Sequence, residues 1–562
     1  MSTSLNTSKP NRPTRTVDVA IIGAGTAGHN AYHQVTKVTN NVVVINDGYW
    51  TTTCATVGCM PSKLLIAAAE RAHYASDSAE FGIEGSPSIN GKQVMQRVQA
   101  ERNRFAGFLQ KSVENWRDDQ KIHGHATFTP EGYIAAAGEI IQAKYIIVGT
   151  GSVPYAPEGW ADKLGDRLLS SDSVFEIPDL PKSIAILGAG AIGLEFSQAL
   201  HRLGVDVTLF NRSQRIGGIR DPKINEVALE CVLDGLNTEL GSTVTDVTVT
   251  GTDDSKQAKL FYTDANGNQK SWQGDYILVA IGRRNTLHNM NIENVGVELD
   301  ARNRPLNVDA VTGQIGDSNI YVVGDANARL PLMHVASNEG YHSGQHIKAL
   351  IEQEKYRSIP PTQGDMPAQT STFAKTSIDA IVASGDCGAE MLCDDDISGE
   401  IKDAEINDGK VKEGINDDIN ANINADKSLA DSGKPYEDKP ATPLAVVFCE
   451  PQIASVGQTI PQLEAANIAY VTGQVSFNNQ GRSRVMGVNC GMLHIYAQAE
   501  TGLILGASMV GPDAEYIAHI LGVAITNALS LDDMLASPYY HPTILEGLRT
   551  ALRNTRSKLT KK

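Results

Sequence analysis

The tightest constraint on this chain is a pattern written twice. Residues 16–22 (TVDVAII) form an apolar run that ends in Gly23-Ala24-Gly25-Thr26-Ala27-Gly28, then a helical stretch to about Lys37 and a second apolar run over 41–45. About 165 residues later, Ser183–Leu187 leads into Gly188-Ala189-Gly190-Ala191-Ile192-Gly193, a helical stretch to about Leu203 and a strand-like run over 205–210. Strand, GxGxxG, helix, strand is the dinucleotide-binding fingerprint. The first glycine makes a tight turn, the second lets a pyrophosphate approach the backbone, and the third lets helix pack on strand. The helix N-terminus then offers free N–H groups to phosphate. A single GxGxxG is weak evidence; two, each correctly bracketed, predict an α/β chain with two Rossmann-like dinucleotide-binding domains.

Length and charge narrow the class further. A chain of 562 residues suggests three or four domains, and 41% apolar with 20% charged residues is ordinary for a globular protein. The net charge of −17 argues against nucleic-acid binding, and no apolar stretch is long enough to span a membrane. Residues 1–15 are polar, lack the apolar core of a secretory signal and read as a disordered tail, so a cytoplasmic location is expected. Residues 356–441 differ from the rest. Between Gly385 and Pro440 there are 16 acidic and 6 basic residues and one aromatic, Tyr436. Such a stretch cannot bury enough apolar surface to order itself, and it reads as a disordered acidic insertion or docking arm. The chain turns globular again from Leu444 to about Asn554 and ends in a basic tail.

Seven cysteines in so long a chain are not a secreted disulfide scaffold, and a core of this size needs no disulfide staple. Cys231, Cys387, Cys393, Cys449 and Cys490 are scattered. Cys387 and Cys393 have no histidine or further cysteine at ligand spacing, so no metal site is predicted. Cys54 and Cys59 stand together in Cys54-Ala55-Thr56-Val57-Gly58-Cys59-Met60-Pro61-Ser62-Lys63. Pro61 suits the start of a helix, which places Cys59 at a helix N-terminus, where the partial positive charge favours thiolate. Four intervening residues let the two sulfurs meet as a small-loop disulfide, a redox pair that cycles with the dithiol. Such an enzyme needs a base for the dithiol's protons. His541-Pro542-Thr543-Ile544-Leu545-Glu546 supplies a histidine and a carboxylate to orient it. Three further strand ends are notable: Gly149-Thr150-Gly151, Ile281-Gly282-Arg283, and Gly324-Asp325.

With GAGTAG, TCATVGCMPSK, GAGAIGLE, YVVGDAN, EPQIASVG and HPTILE, the chain resembles the pyridine nucleotide–disulfide oxidoreductases, most closely their dihydrolipoyl dehydrogenases. The resemblance covers about 17–355 and 442–555. It implies an FAD domain at 16–160 completed by 287–355, an NAD(P) domain at 161–286, and an α+β interface domain at 442–555 that builds a homodimer. The basic tail is then 556–562. It implies tightly bound, non-covalent FAD held by Gly23, Gly25, Gly28, Asn46, Lys63, Gly151 and Asp325. Asp325 would accept a bond from a flavin ribityl hydroxyl. The nicotinamide nucleotide would use Gly188, Gly190, Gly193, Asn211, Arg212, Arg215 and Gly282. Cys59 would face the flavin, Cys54 would exchange with substrate, and Lys63 would pair with Glu195. His541, oriented by Glu546, would reach the partner subunit's disulfide. The reaction implied is oxidation of dihydrolipoyl groups carried by a protein of a 2-oxo-acid dehydrogenase complex, with electrons passing to NAD⁺, as part of cell redox homeostasis.

Two positions depart from the pattern. The strand end that usually holds a ribose with an acid is Asn46 in the first unit, with Asp47 next. In the second it is Asn211, followed by Arg212-Ser213-Gln214-Arg215. An acid there selects NAD⁺, whereas arginine suits a 2′-phosphate, so the residues themselves allow NADP. Two alternatives therefore stay open: an NADPH-dependent disulfide reductase of the glutathione-reductase type, and a non-catalytic FAD-bound redox sensor or scaffold. The C-terminal tail has no cysteine pair, which disfavours a mercuric reductase.

Overall fold

The computed structural model describes residues 12–252, 255–357 and 441–560. The predicted acidic insertion, with Cys387 and Cys393, lies almost wholly outside the described residues.

The first fingerprint becomes β1 (Arg15–Ile22), α1 (Thr26–Val35) and β2 (Val42–Asn46). Its sheet continues through β3 (Lys121–His123), β4 (Thr127–Phe128), β5 (Ile134–Ala136) and β6 (Glu139–Val148). The strand order is β3-β2-β1-β6-β5-β4, and β17 (Ile320–Val322) returns from far along the chain to pair parallel with β6. Val19, Ala20 and Ile21 on β1 are fully buried, as expected of a parallel strand covered on both faces. Between β2 and β3 lie α2 (Thr53–Thr56), α3 (Cys59–Ser76) and α4 (Gly91–Glu114). The strand begins inside the predicted tail. Thr14 N–H donates to the Ile140 carbonyl at 2.7 Å, so the edge of β6 orders the chain before Thr16.

The short β7 (Ser152–Pro154) leads out of this domain, followed by α5 (Trp160–Leu164) and β8 (Leu168–Ser170). The second fingerprint becomes β9 (Ser183–Leu187), α6 (Ala191–Arg202), β10 (Asp206–Asn211), α7 (Pro222–Val232) and β11 (Asn237–Leu240). An antiparallel layer of β12 (Thr243–Thr250), β13 (Gln257–Thr263) and β14 (Gln269–Gly274) precedes β15 (Tyr276–Val279). The parallel sheet runs β11-β10-β9-β15-β8. β16 (Arg283–Asn285) then pairs antiparallel with β7, so the outgoing and returning crossings form one ribbon. α8 (Met333–Arg357) packs on α1.

The C-terminal part is an antiparallel sheet covered by helices on one face. Its strands are β18 (Leu444–Val447), β19 (Gln452–Gly457), β20 (Tyr470–Ser476), β21 (Met492–Gln498) and β22 (Ile504–Gly511), ordered β18-β19-β22-β21-β20. Its helices are α9 (Ile460–Ala465), α10 (Gly481–Val485), α11 (Ala514–Thr526), α12 (Leu531–Ala536) and α13 (Leu545–Arg556). Period-two alternation sorts the faces. Leu493, Ile495 and Ala497 join Ile517, Leu521, Leu548 and Leu552 in one core, while His494 and Tyr496 turn to the opposite face. The predicted basic tail does not run free. Leu559 packs on this core and Lys558 Nζ donates to the Thr472 carbonyl at 2.7 Å, which fixes the chain to residue 560.

One apolar cluster joins all three parts, with Leu65 from α3, Ile184 from β9, Leu194 from α6, and Val447, Ile453 and Val510 from the C-terminal sheet. A second link is covalent. Cys231 on α7 and Cys490 ahead of β21 form a disulfide with a Cα–Cα separation of 6.2 Å. In the sequence these two stand only among the scattered cysteines. Their separation of 259 positions hid the pairing from sequence, because only the fold brings α7 onto β21.

Candidate active site

The two glycine-rich turns distinguish what the fold needs from what a ligand would need. Gly23 has φ +107°, and a Cβ there would lie 2.4 Å from the Gly149 carbonyl oxygen. At Gly28 a Cβ would lie 2.0 Å from the Gly23 carbonyl oxygen. Both are glycine for the protein's own packing. Gly25 has an ordinary extended φ of −82°, and its Cβ would meet nothing within 4 Å. Gly188, Gly193 and Gly190 repeat the three situations in the second unit, with contacts of 2.6 Å, 1.7 Å and none within 4 Å. The middle glycine of each turn thus keeps open a face at the N-terminus of an uncapped helix. That is the cradle a pyrophosphate fits. Beside the first turn, Thr150 Oγ1 is buried without a partner. Gly151 and Gly282, both at positive φ, follow the closing strands β6 and β15 and also keep open faces.

The two departures, Asn46 and Asn211, do the same work. Asn46 Oδ1 accepts the Ala24 N–H at 3.1 Å and its amide donates to the Tyr49 carbonyl. Asn211 Oδ1 accepts the Ala189 N–H at 3.3 Å and its amide donates to the carbonyls of Ser213 and Arg215. Each asparagine fastens the strand end to the glycine turn and folds the next loop around itself. In the second unit that loop presents Arg212 and Arg215 to solvent with no carboxylate among residues 211–215.

Cys54 lies on α2 and Cys59 is the first residue of α3, so the helix starts two residues before Pro61. Pro61 still falls in the first turn, where its missing N–H has no partner to lose. Cys54 is half-buried and Cys59 exposed, and both are thiols here. Cys54 S–H donates to Cys59. That bond, helped by Lys63, lowers the Cys59 thiol to about 7. The same bond, with burial, pushes the Cys54 thiol far up. The pair is therefore asymmetric: Cys59 carries the negative charge and Cys54 keeps the proton.

Lys63 sits one turn beyond Cys59 on the same helix face. Its Nζ lies 3.0 and 2.9 Å from the two Glu195 carboxylate oxygens, and Glu195 is buried on α6. The C-terminal sheet completes this group. Phe448 N–H donates to Glu195 Oε1 at 3.0 Å, and its ring lies 4.5 Å beneath Lys63 Nζ. Three segments far apart in sequence thus converge on Lys63, and sequence reading found only two of them. The signal for Phe448 was its place just ahead of the Glu450-Pro451 motif, which by itself names no contact.

Asp325 stands after β17. Its Oδ2 accepts the Ser152 hydroxyl at 2.7 Å, and Ser152 Oγ accepts Arg283 Nε at 2.9 Å. Arg283 also donates to Asp172 Oδ1 at 2.7 Å. The arginine after Gly282 thus braces the crossing ribbon and reaches Asp325 through Ser152. Neither Ser152 nor Asp172 stood out in the sequence.

His541 and Glu546 come together on the loop before α13 and its first turn. His541 Nδ1 is 3.0 Å from both Glu546 oxygens, and Glu546 Oε2 also accepts the Thr543 N–H at 3.2 Å. The His541 bond, foremost, holds the Glu546 carboxyl below its usual range. The imidazole is 79% exposed, so its Nε2 edge points away from the chain's own core.

Known proteins resemble this chain along most of its length. Residues 17–340 match the family model of the pyridine nucleotide-disulphide oxidoreductases, and 444–552 match the model of that family's dimerisation domain. The chain is 27% identical to dihydrolipoyl dehydrogenase 3 of Pseudomonas putida, over 96% of this chain and 98% of that protein. It is 25% identical to a dihydrolipoyl dehydrogenase of Haloferax volcanii, over 96% of each. Its fold matches the crystal structure of LpdA from Mycobacterium tuberculosis with a TM-score of 0.66 at 20% identity, over 96% of this chain and 99% of that one.

Proposed function

The chain belongs to the pyridine nucleotide-disulphide oxidoreductases, and from that premise we propose that it oxidises protein-bound dihydrolipoyl groups in the cytoplasm. The family is FAD-dependent and binds NAD(P). The observation that carries the proposal is the asymmetric Cys54–Cys59 pair with the Lys63–Glu195 ion pair one turn away.

In this reading the oxidised enzyme holds Cys54 and Cys59 as a disulfide. A substrate thiolate attacks Cys54 Sγ and Cys59 leaves as thiolate, which suits its lowered affinity for a proton. The second substrate thiol displaces Cys54 and closes the lipoyl disulfide. Cys54, whose thiol is pushed up, retains a proton. His541 takes protons from the substrate dithiol, with Glu546 fixing the orientation of the ring. Tight, non-covalent FAD would lie along the Gly23–Gly28 turn and Asp325, and it supplies the two-electron link to the nicotinamide. Glu195 fixes the Lys63 ammonium in place, and Lys63 favours the Cys59 thiolate. The exposed imidazole fits service to a second subunit, which the dimerisation domain implies. The net reaction turns one dihydrolipoyl group and NAD⁺ into a lipoyl group, NADH and a proton.

A second reading is favoured by the loop after β10. Asn211 is committed to holding the loop and offers no carboxylate to a ribose 2′-hydroxyl, while Arg212 and Arg215 stand exposed. That loop suits an NADPH-dependent disulfide reductase. One experiment separates the readings. Purified holoenzyme is mixed with dihydrolipoamide, and reduction of NAD⁺ and NADP⁺ is followed in parallel. Rapid NADH formation is the expected result. Failure with both, together with NADPH-driven reduction of another disulfide, overturns the first reading in favour of the second.

A further inference from the structure

The loop that carries Arg212 and Arg215 is held in place from the far side of the molecule. The first turn of α7 grips it: Asn225 Oδ1 accepts the Ile216 N–H at 3.0 Å, and Asn225 Nδ2 donates to the Gln214 carbonyl at 3.1 Å. The loop is thus held from two sides, by Asn211 at the end of β10 and by Asn225 on α7. This helix is attached to the C-terminal sheet at two points. At its start, Asp221 caps the helix, with Oδ1 accepting the N–H groups of Lys223 and Ile224 at 2.9 and 3.2 Å. Its other oxygen accepts the Tyr496 hydroxyl at 2.7 Å and lies 2.6 Å from His494 Nδ1. All three side chains are buried. At its end, Cys231 is joined to Cys490. The two attachments are ten residues apart on one helix, about 15 Å along its axis. Between them Ile224, Ala228 and Val232 pack the helix into the apolar core, and the two attachments fix its direction over that core.

We propose that the Cys231–Cys490 disulfide, with the Asp221–His494–Tyr496 clasp, positions the nucleotide loop, so that nicotinamide-nucleotide affinity depends on the oxidation state of this second cysteine pair. Asp221, His494, Tyr496, Cys231 and Cys490 are positioning residues, acting through α7 and Asn225. The inference rests on the second glycine-rich unit binding a nicotinamide nucleotide, and it is independent of which disulfide the enzyme serves. Reduction by a dithiol breaks the Sγ–Sγ bond. Both thiols take their protons from the dithiol, which closes to its own disulfide, so electrons and atoms balance. With the cross-link gone, the end of α7 is held by its buried apolar face alone, and the loop gripped at the helix start loosens.

The test uses the air-oxidised, full-length holoenzyme. Free thiols are blocked, the protein is digested without reductant, and a cross-linked peptide pair containing Cys231 and Cys490 is sought by mass spectrometry. NAD⁺ and NADP⁺ affinities are then measured calorimetrically for wild type, the near-isosteric C231S and the C231A/C490A double variant, which covers the case where one variant folds poorly. The expected result is the cross-linked pair in wild type. In both variants the Kd for the preferred nucleotide rises at least threefold, with faster amide exchange over 212–232. The KM for the disulfide substrate stays unchanged, a split that general loss of stability does not produce. Alkylated Cys231 and Cys490 in the oxidised wild type, or unchanged nucleotide Kd and exchange in the double variant, overturns the proposal. No nucleotide binding in any form, wild type included, refutes instead the family-based reading of the second unit.

Discussion

Cys54 and Cys59 share a chemical identity, and their surroundings divide it. A thiol at a helix N-terminus, accepting a bond from its neighbour and facing a lysine, gives up its proton early. Cys59 therefore reacts as a thiolate above about pH 7, and that reactivity is lost as pH falls through this value. Cys54 is the foremost cause, so in Cys54→Ala the labelling midpoint of Cys59 returns toward the ordinary thiol value, above about 8. Iodoacetamide labelling of the reduced protein against pH, read by mass spectrometry at Cys59, checks this. A midpoint unmoved in the variant would mean that Lys63 and the helix terminus suffice. Much of this was legible in ten letters of sequence, because the two cysteines, the helix start and Lys63 are local to one another. Phe448 was not, since its contact with Lys63 is made 385 positions away and only through the fold.

At the scale of elements, each strand–turn–helix unit carries two demands that sequence writes with one letter. Gly23 answers to the fold: a side chain there would strain the backbone at φ +107° and strike the Gly149 carbonyl. Gly25 answers only to what lies outside the chain. Gly23→Ala is therefore expected to cost about 1–3 kcal/mol or more in stability. Gly25→Ala should melt, as flavin-free protein, within about 2 °C of wild type while retaining far less flavin after gel filtration. Thermal melting and the 450 nm absorbance ratio read the two effects separately. Equal destabilisation by both would remove the argument that the middle glycine is kept for a ligand. The element boundaries came through the sequence well where apolar periodicity was strong, as in β9 over Ser183–Leu187. They came through poorly at Thr14 and Leu559, polar-flanked segments ordered by a distant strand edge and a distant core. The same holds for Cys231 and Cys490, which nothing in their sequence surroundings joins.

At the scale of the whole molecule, the question is which chain supplies the base. His541 is bound to Glu546, lies on the C-terminal domain and presents its free edge outward. The cysteine pair lies at the start of α3 in the first domain. If the base serves its partner's thiols, two separately dead variants complement one another. Cys59→Ser keeps the histidine but loses the thiolate; His541→Ala keeps the cysteines but loses the base. In a closed two-fold dimer made from equal amounts of each, half the dimers are mixed. One of the two sites in every mixed dimer then has its own cysteines and a working histidine from across the interface. Co-refolding or co-expression should restore about a quarter of wild-type turnover, where each variant alone shows almost none. A base acting within its own chain gives no recovery at any mixing ratio, because no site then holds both groups. The recovered turnover also reads the assembly: it stays near a quarter on dilution while the dimer holds together, and falls toward zero once the dimer dissociates, because no monomer then holds both groups at one site.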